Sequence, residues 1–155
     1  MAILECKATL YETDYYLWLE KTIEALYAAD LSQIDYQNLI EELISLGKTD
    51  LRMVNSLVKQ IIIHRLKLDY LPDREPRKHW CKEIFNFQDQ LSDTLTTSLK
   101  AKIELNELYC RAKRQLLLDY ELDLPETCPY SLTDLLAADF VTHIPQTLQI
   151  AHKYK

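Results

Sequence analysis

The sequence predicts an all-α protein: an antiparallel helical bundle of about five main helices, followed by a short C-terminal helix. Three observations support this prediction. The 155 residues include a single glycine, Gly47, although tight hairpin turns and phosphate-binding loops depend on glycine. Apolar residues recur every three or four positions, which is the period of an amphipathic helix. No segment shows the strict apolar–polar alternation of a half-buried strand.

The first predicted helix starts after Thr13 and ends near Ala29. Asp14 falls in its first turn, where a carboxylate favourably faces the helix dipole. The apolar positions of this helix are spaced three or four residues apart and form one stripe. The stripe consists of Tyr16, Leu19, Ile23 and Leu26, widened by Tyr15 and Trp18.

The second predicted helix begins at an Asp35 N-cap, and Gly47 stands where a C′ residue belongs, just past the last periodic position. Thr49 can cap a third helix that runs to about Tyr70. A single long helix with a kink at Gly47 fits the same pattern, and the sequence leaves both interpretations open. The buried face of the second helix is predicted to consist of Leu39, Ile40, Leu43, Ile44 and Leu46, and that of the third of Leu51, Val54, Val58, Ile61 and either Leu66 or Leu68.

Pro72 and Pro76 mark the clearest break in the helical pattern, because each proline moves its preceding residue away from helical geometry. A fourth helix follows, with an apolar stripe of Trp80, Ile84, Phe87, Leu91 and Leu95. A fifth runs from about Leu99 to Glu121, with a stripe of Leu105, Tyr109, Ala112, Leu116 and Tyr120. Ser131 and Asp134 resemble a capping box for a short sixth helix that ends near Ala138.

The periodic positions predict a core. We expect ten residues to be largely buried: Trp18, Leu19, Ile23, Leu43, Val58, Ile61, Ile84, Phe87, Tyr109 and Leu116.

Length and composition indicate one soluble helical domain over residues 1–155, with a weakly patterned tail at 141–155. The chain is 48% hydrophobic and 27% charged, as in an ordinary globular protein. It has no apolar stretch of membrane-spanning length and no secretory signal, so no membrane association is expected. Four scattered cysteines without metal-site spacing suit a reducing compartment, and we predict a cytoplasmic location.

The net charge of −6 argues against nucleic acid as a partner, since phosphates require basic surface. The charge is uneven, however. The segment from Lys59 to Lys82 has seven basic and three acidic residues. A solvated helix face and loop is the ordinary interpretation of this region. The alternative is contact with an acidic protein, another anionic partner, or an acidic patch on a second copy.

Four ordered segments resemble a bacterial family that is common in cyanobacteria and is called domain of unknown function 29. They are residues 11–18 (YETDYYLW), 35–48 (DYQNLIEELISLGK), 64–68 (HRLKL) and 125–130 (PETCPY). The resemblance covers roughly residues 10–140 and implies an all-helical, stand-alone bacterial protein without an assigned activity. The chain differs from the family pattern at Arg65, where leucine is usual, and at Leu68, where tryptophan is usual.

One candidate site is a metal-binding bundle interior around His64, with Glu41 and Glu42 as carboxylate ligands. Neither glutamate stands three residues before a histidine, so the di-iron pattern is missing. The competing interpretation is a structural histidine, hydrogen-bonded to Glu41 or Glu42.

A second candidate is the pair Arg74 and His79, whose spacing resembles the catalytic motif of HEPN ribonucleases. A histidine that titrates near neutrality can transfer the 2′-hydroxyl proton, and an arginine can hold the phosphate. Pro76 interrupts the intervening turn, and a basic loop between helices is the simpler interpretation.

The sequence therefore favours a non-enzymatic interaction module over an enzyme, with no cofactor. A second copy of the chain is the favoured partner, because the helices carry apolar residues beyond one stripe. We predict a homo-oligomer, and specifically a homodimer with apolar contact. The metal-independent ribonuclease and the metal-binding bundle remain alternatives.

Overall fold

The structure is a computed structural model that describes residues 9–72 and 76–139. Helices account for about 73% of these residues, and no strand occurs among them. The prediction of an all-α helical protein is therefore confirmed. The helices are α1 (Leu10–Thr13), α2 (Tyr15–Tyr27), α3 (Tyr36–Tyr70), α4 (Arg77–Thr94), α5 (Thr97–Lys100), α6 (Leu105–Leu116) and α7 (Leu132–Leu136), with a 3-10 turn at Leu31–Gln33.

The chain divides into two compact units, Met1–Lys48 and Thr49–Lys155, called the N-terminal and C-terminal units below. The boundary falls within α3. The prediction of a single domain over residues 1–155 stays a prediction, and the tail at 141–155 lies outside the described residues. In the described part of both units, no helix is long and apolar enough to cross a membrane.

Gly47 lies inside α3, which is one helix of 35 residues. Its φ is not positive, so it is not a left-handed C′ residue, and the interpretation as a helix end is wrong. Glycine costs a helix interior only about 1 kcal/mol relative to alanine. That cost does not end a helix whose neighbours favour helical geometry on both sides. A Cβ at this position would meet nothing within 4 Å.

The predicted fifth helix is divided in two. The Thr96 side chain accepts a hydrogen bond from the Leu99 N–H at 3.2 Å and so caps α5, which ends at Lys100. After a turn the chain forms α6, which ends at Leu116 instead of Glu121. The Lys113 ammonium donates to the carbonyl of Leu124 at 3.0 Å, and this bond folds the following segment back along α6.

Side-chain caps mark the starts of α2 and α7. Asp14 caps α2 by accepting from the Leu17 N–H at 3.0 Å, so it precedes the first turn in which it was expected. Ser131 and Asp134 form the predicted capping box, with the Asp134 N–H 3.1 Å from the Ser131 hydroxyl.

The C-terminal unit contains a contiguous apolar core built from four helices and the segments that join them. Its fully or almost fully buried members include Val54, Val58, Ile61, Ile62, Leu66, Ile84, Leu91, Tyr109, Ala112, Leu116 and Leu135. The buried residues of the N-terminal unit are fewer within its described part: Trp18, Thr22, Ala25 and Ile34.

The burial predictions are more often correct in the C-terminal unit than in the N-terminal unit. Six of the ten residues are buried as expected: Trp18, Val58, Ile61, Ile84, Tyr109 and Leu116. Leu19 and Phe87 are half-buried. Ile23 and Leu43 are exposed, at 43% and 61%, so the prediction that these two residues are buried is wrong.

Candidate functional site

Glu42, a candidate metal ligand, binds two tyrosines of the N-terminal unit instead. Its carboxylate accepts hydrogen bonds from the Tyr11 hydroxyl and, at 2.9 Å, from the Tyr15 hydroxyl. The bond to Glu42 raises the pKa of Tyr11 to about 12, because the phenolate would face a carboxylate. The pKa of Tyr15 is raised for the same reason. Both rings pack against Trp18, with ring centroids 4.8 and 5.8 Å away, so this cluster joins α1, α2 and α3.

His64, the other candidate ligand, lies in the C-terminal unit. Its Nδ1 lies 2.8 Å from the Gln60 carbonyl oxygen, and because a carbonyl only accepts, Nδ1 carries the donated proton. The ring packs against Phe87 with a centroid distance of 5.5 Å. Burial is the main cause of the lowered pKa of His64, which favours the neutral imidazole. The recorded partner of His64 is thus a backbone carbonyl and not Glu41 or Glu42.

No group of three or more histidine, cysteine, aspartate or glutamate side chains in residues 9–72 and 76–139 is arranged to hold a metal ion. Glu41 is exposed on α3. Glu41 and Glu42 belong to the N-terminal unit and His64 to the C-terminal unit, and the metal-binding alternative stays a prediction.

His79 is exposed in the first turn of α4. Arg74, its partner in the ribonuclease hypothesis, lies outside the described residues. The structure therefore describes only one member of this pair, and the ribonuclease alternative also stays a prediction.

The lowered pKa of His64 predicts a pH-dependent stability. A group whose pKa is lower in the folded state stabilises the fold above its ordinary pKa of 6.5, and that stabilisation is lost as the pH falls through the lowered value. We expect the free energy of unfolding to fall from neutral to mildly acidic pH, and to fall less in His64→Gln. Urea denaturation at several pH values measures this difference. A stability that falls with pH as steeply in His64→Gln as in the unmodified chain would contradict the assignment.

A polar network inside the C-terminal unit was not predicted. The Tyr130 hydroxyl donates to Asp69 at 2.6 Å, and the Arg65 guanidinium lies over the Tyr130 ring, 5.0 Å from its centroid. Arg65 is only 7% exposed. Burial raises the pKa of Asp69, while the Tyr130 bond and the charge of Arg65 lower it in part. These partners are 61 positions apart in sequence, so no local pattern could reveal them.

The most unusual surface of the N-terminal unit is apolar. On α2 the inward face is Trp18, Thr22 and Ala25, so the buried face is rotated away from the predicted stripe and shares only Trp18 with it. The predicted inward stripe of α3 before Gly47 is likewise largely exposed. Together these residues form what we call the N-terminal apolar surface: Tyr15, Tyr16, Leu17, Ile23, Leu26, Tyr27, Leu31, Tyr36, Ile40, Leu43, Ile44 and Leu46.

The N-terminal unit is also acidic. Residues 1–48 have nine acidic and three basic side chains, whereas residues 49–155 have fifteen of each. The entire net charge of −6 therefore belongs to the unit that carries the N-terminal apolar surface.

The fold and this surface define an all-helical protein that combines an acidic unit with exposed apolar helix faces. The chain belongs to the family described as Domain of unknown function DUF29, which matches residues 10–141. The sequence resemblance to that family is thereby confirmed.

Among solved structures, the chain is similar to an alpha-helical protein of unknown function from Rhodospirillum rubrum. The TM-score is 0.60 at 22% sequence identity, and the match covers 95% of this chain and 99% of that chain. At this identity the similarity shows the fold alone. A comparison with curated proteins finds no match.

Proposed function

We propose that this protein is a non-enzymatic interaction module that forms a homodimer through the N-terminal apolar surface. One observation carries the proposal. Of the sixteen large apolar side chains that are exposed in the described part of the chain, twelve lie between Tyr15 and Leu46. A concentration of exposed apolar side chains in one unit is characteristic of protein contact sites, because burying apolar surface gains about 25 cal/mol per Å².

The spacing of the exposed apolar residues supports a protein contact that runs along α2 and the first part of α3. On α3, Tyr36, Ile40, Leu43 and Ile44 follow one another by four, three and one positions and thus share a face. On α2, Tyr16, Ile23 and Tyr27 also share a face, seven and four positions apart. Two such faces on neighbouring segments suit the packing of helices from a partner.

Charge favours a second copy as that partner. The N-terminal unit has a groove of about 510 Å³ whose charged lining is Lys21 against Glu24, Asp30 and Asp35. The C-terminal unit offers the complement, since Lys78 and Lys82 are exposed and lie four positions apart on α4. A two-fold contact through the N-terminal apolar surface brings the two acidic units together, and these lysines would offset that repulsion if α4 of one copy approaches the acidic unit of the other.

Paired glutamine substitutions test the surface. We expect Leu43→Gln to weaken dimerisation by about tenfold or more, because a polar amide would then be buried at the contact. Leu118→Gln is the matched control: Leu118 is 83% exposed but lies beyond α6, in the C-terminal unit. Sedimentation equilibrium on both variants measures the dissociation constants. If both substitutions weakened dimerisation equally, the contact would not lie at the N-terminal apolar surface.

Salt tests the charge contribution separately. If the lysines of α4 face the acidic unit of the partner, we expect added salt to weaken the dimer, because screening reduces attraction between exposed unlike charges. Strengthening by salt would mean that the acidic units face each other. The proposed location is the cytosol, which the unbonded thiols of Cys81, Cys110 and Cys128 in the described residues support.

A further inference from the structure

A second surface, in the C-terminal unit, has the opposite character. Arg52, Asn55, Ser56 and Lys59 succeed one another at spacings of three, one and three on α3, so they form one polar face of that helix. With Arg111 of α6 they line a cavity of about 290 Å³. We call this cavity the basic groove.

The charge of the basic groove is uncompensated by its own lining. Three of its five lining residues are cationic and none is acidic. The Lys59 ammonium donates to the neutral amide oxygen of Gln115 at 3.2 Å, a bond that orients the charge without neutralising it. An adjoining cavity that shares Arg111 is lined by Glu104 and Glu107, whereas no carboxylate lines the basic groove itself, so the three cations of the groove favour an anion.

Asn55 adds an unmet hydrogen bond. Its Oδ1 is buried and has no hydrogen-bond donor among the described residues. Asn55 lines both the basic groove and a neighbouring cavity of about 220 Å³, to which Arg111 also belongs. A buried acceptor without a donor destabilises the folded state. Because this oxygen is enclosed, a ligand hydroxyl group can donate to it only after the Asn55 side chain turns toward the basic groove.

We propose that the basic groove binds the phosphate group of a small hydroxylated phosphomonoester. The two guanidinium groups suit bidentate contact with phosphate oxygens, and the Lys59 ammonium adds a point charge. The Ser56 hydroxyl is a further donor. The cavity is at the lower end of the range of ligand pockets, about 300–1,000 Å³, so it suits one phosphate with a small attached group. This site is separate from the dimer surface and does not depend on it.

Isothermal titration of the full chain at constant ionic strength tests the site, with glycerol 3-phosphate and inorganic phosphate as probes and glycerol as the uncharged control. We expect both phosphates to bind and glycerol not to bind. Tighter binding of glycerol 3-phosphate identifies an ester as the ligand class, whereas inorganic phosphate binding at least as tightly overturns the ester and leaves a free-phosphate site. Absence of binding by both phosphates overturns the proposal.

Two variants locate the binding. We expect Arg111→Gln and Arg52→Gln each to weaken phosphate binding by about tenfold or more, since each removes a charged hydrogen bond. Arg114→Gln is the matched control, because it removes the same charge from the same helix at an exposed position that does not line the groove. Circular dichroism checks that each variant is folded. Equal weakening by Arg114→Gln would mean that net charge attracts the anion and would overturn the assigned site.

Discussion

Ile61→Ala should lower the free energy of unfolding by about 2–5 kcal/mol. Ile61 is fully buried in α3, at the centre of the core of the C-terminal unit. Truncation to alanine removes the transfer free energy of the missing methyl and methylene groups. It also leaves a cavity that the neighbouring helices fill only in part, since protein interiors are close-packed.

The matched control is Met53→Ala on the same helix. Met53 is 44% exposed and belongs to the same unit, so its truncation should change stability by no more than about 0.5 kcal/mol. Urea denaturation followed by far-UV circular dichroism gives both values. A loss in Ile61→Ala as small as that in Met53→Ala would show that the core has been misplaced.

Tyr130→Phe should cost about 1–3 kcal/mol at neutral pH, because it removes the donor to a partly buried carboxylate. The aromatic ring under Arg65 is preserved, so the substitution isolates the hydroxyl. The pKa of Asp69 is already raised by burial, and the Tyr130 bond is the largest influence that lowers it. Without that bond the pKa of Asp69 rises further.

The sign of the pH dependence follows from this shift. A group with a raised folded-state pKa stabilises the fold below its ordinary value, 3.8 for Asp69, and that contribution is lost as the pH rises through the folded-state pKa. The cost of Tyr130→Phe should therefore be smaller near pH 4, about the ordinary pKa of an aspartate, than at neutral pH. Tyr120→Phe on a half-buried tyrosine is the control. A cost independent of pH, or equal to that of the control, would contradict the network.

Local patterns predicted the helices and the core of the C-terminal unit, because there each apolar stripe meets another one. Val58, Ile61, Ile84 and Leu116 are buried for this reason. The three-residue spacing of Ser131 and Asp134 also predicted the capping box of α7. Periodicity could not place the break between α5 and α6, or the end of α6 at Leu116. The segment after α6 is held by a bond from the Lys113 ammonium to the Leu124 carbonyl, which no helical spacing indicates.

In the N-terminal unit the same patterns identified which residues share an apolar face, but not whether that face is buried. Ile23 and Leu43 lie on the stripes that periodicity predicts, yet both are exposed. A hydrophobic period shows which residues share a face; whether that face meets the same chain or another molecule depends on long-range packing. Residue type and spacing suggest the metal and ribonuclease residues, but they do not determine which of those groups meet in space.

The basic groove has a signal in the sequence. The spacing of Arg52, Asn55, Ser56 and Lys59 marks a polar helix face, and only the position of Arg111 required the structure. The Asp69–Tyr130 pair had no such signal, since its members are 61 positions apart.

The molar mass of the unmodified protein in solution tests the central claim most directly. Each chain has a mass of 18.3 kDa. Light scattering coupled to size-exclusion chromatography, carried out over a wide range of protein concentrations, should give twice that mass at the higher concentrations and should approach one chain on dilution. A mass of one chain at every concentration would contradict self-association through the N-terminal apolar surface.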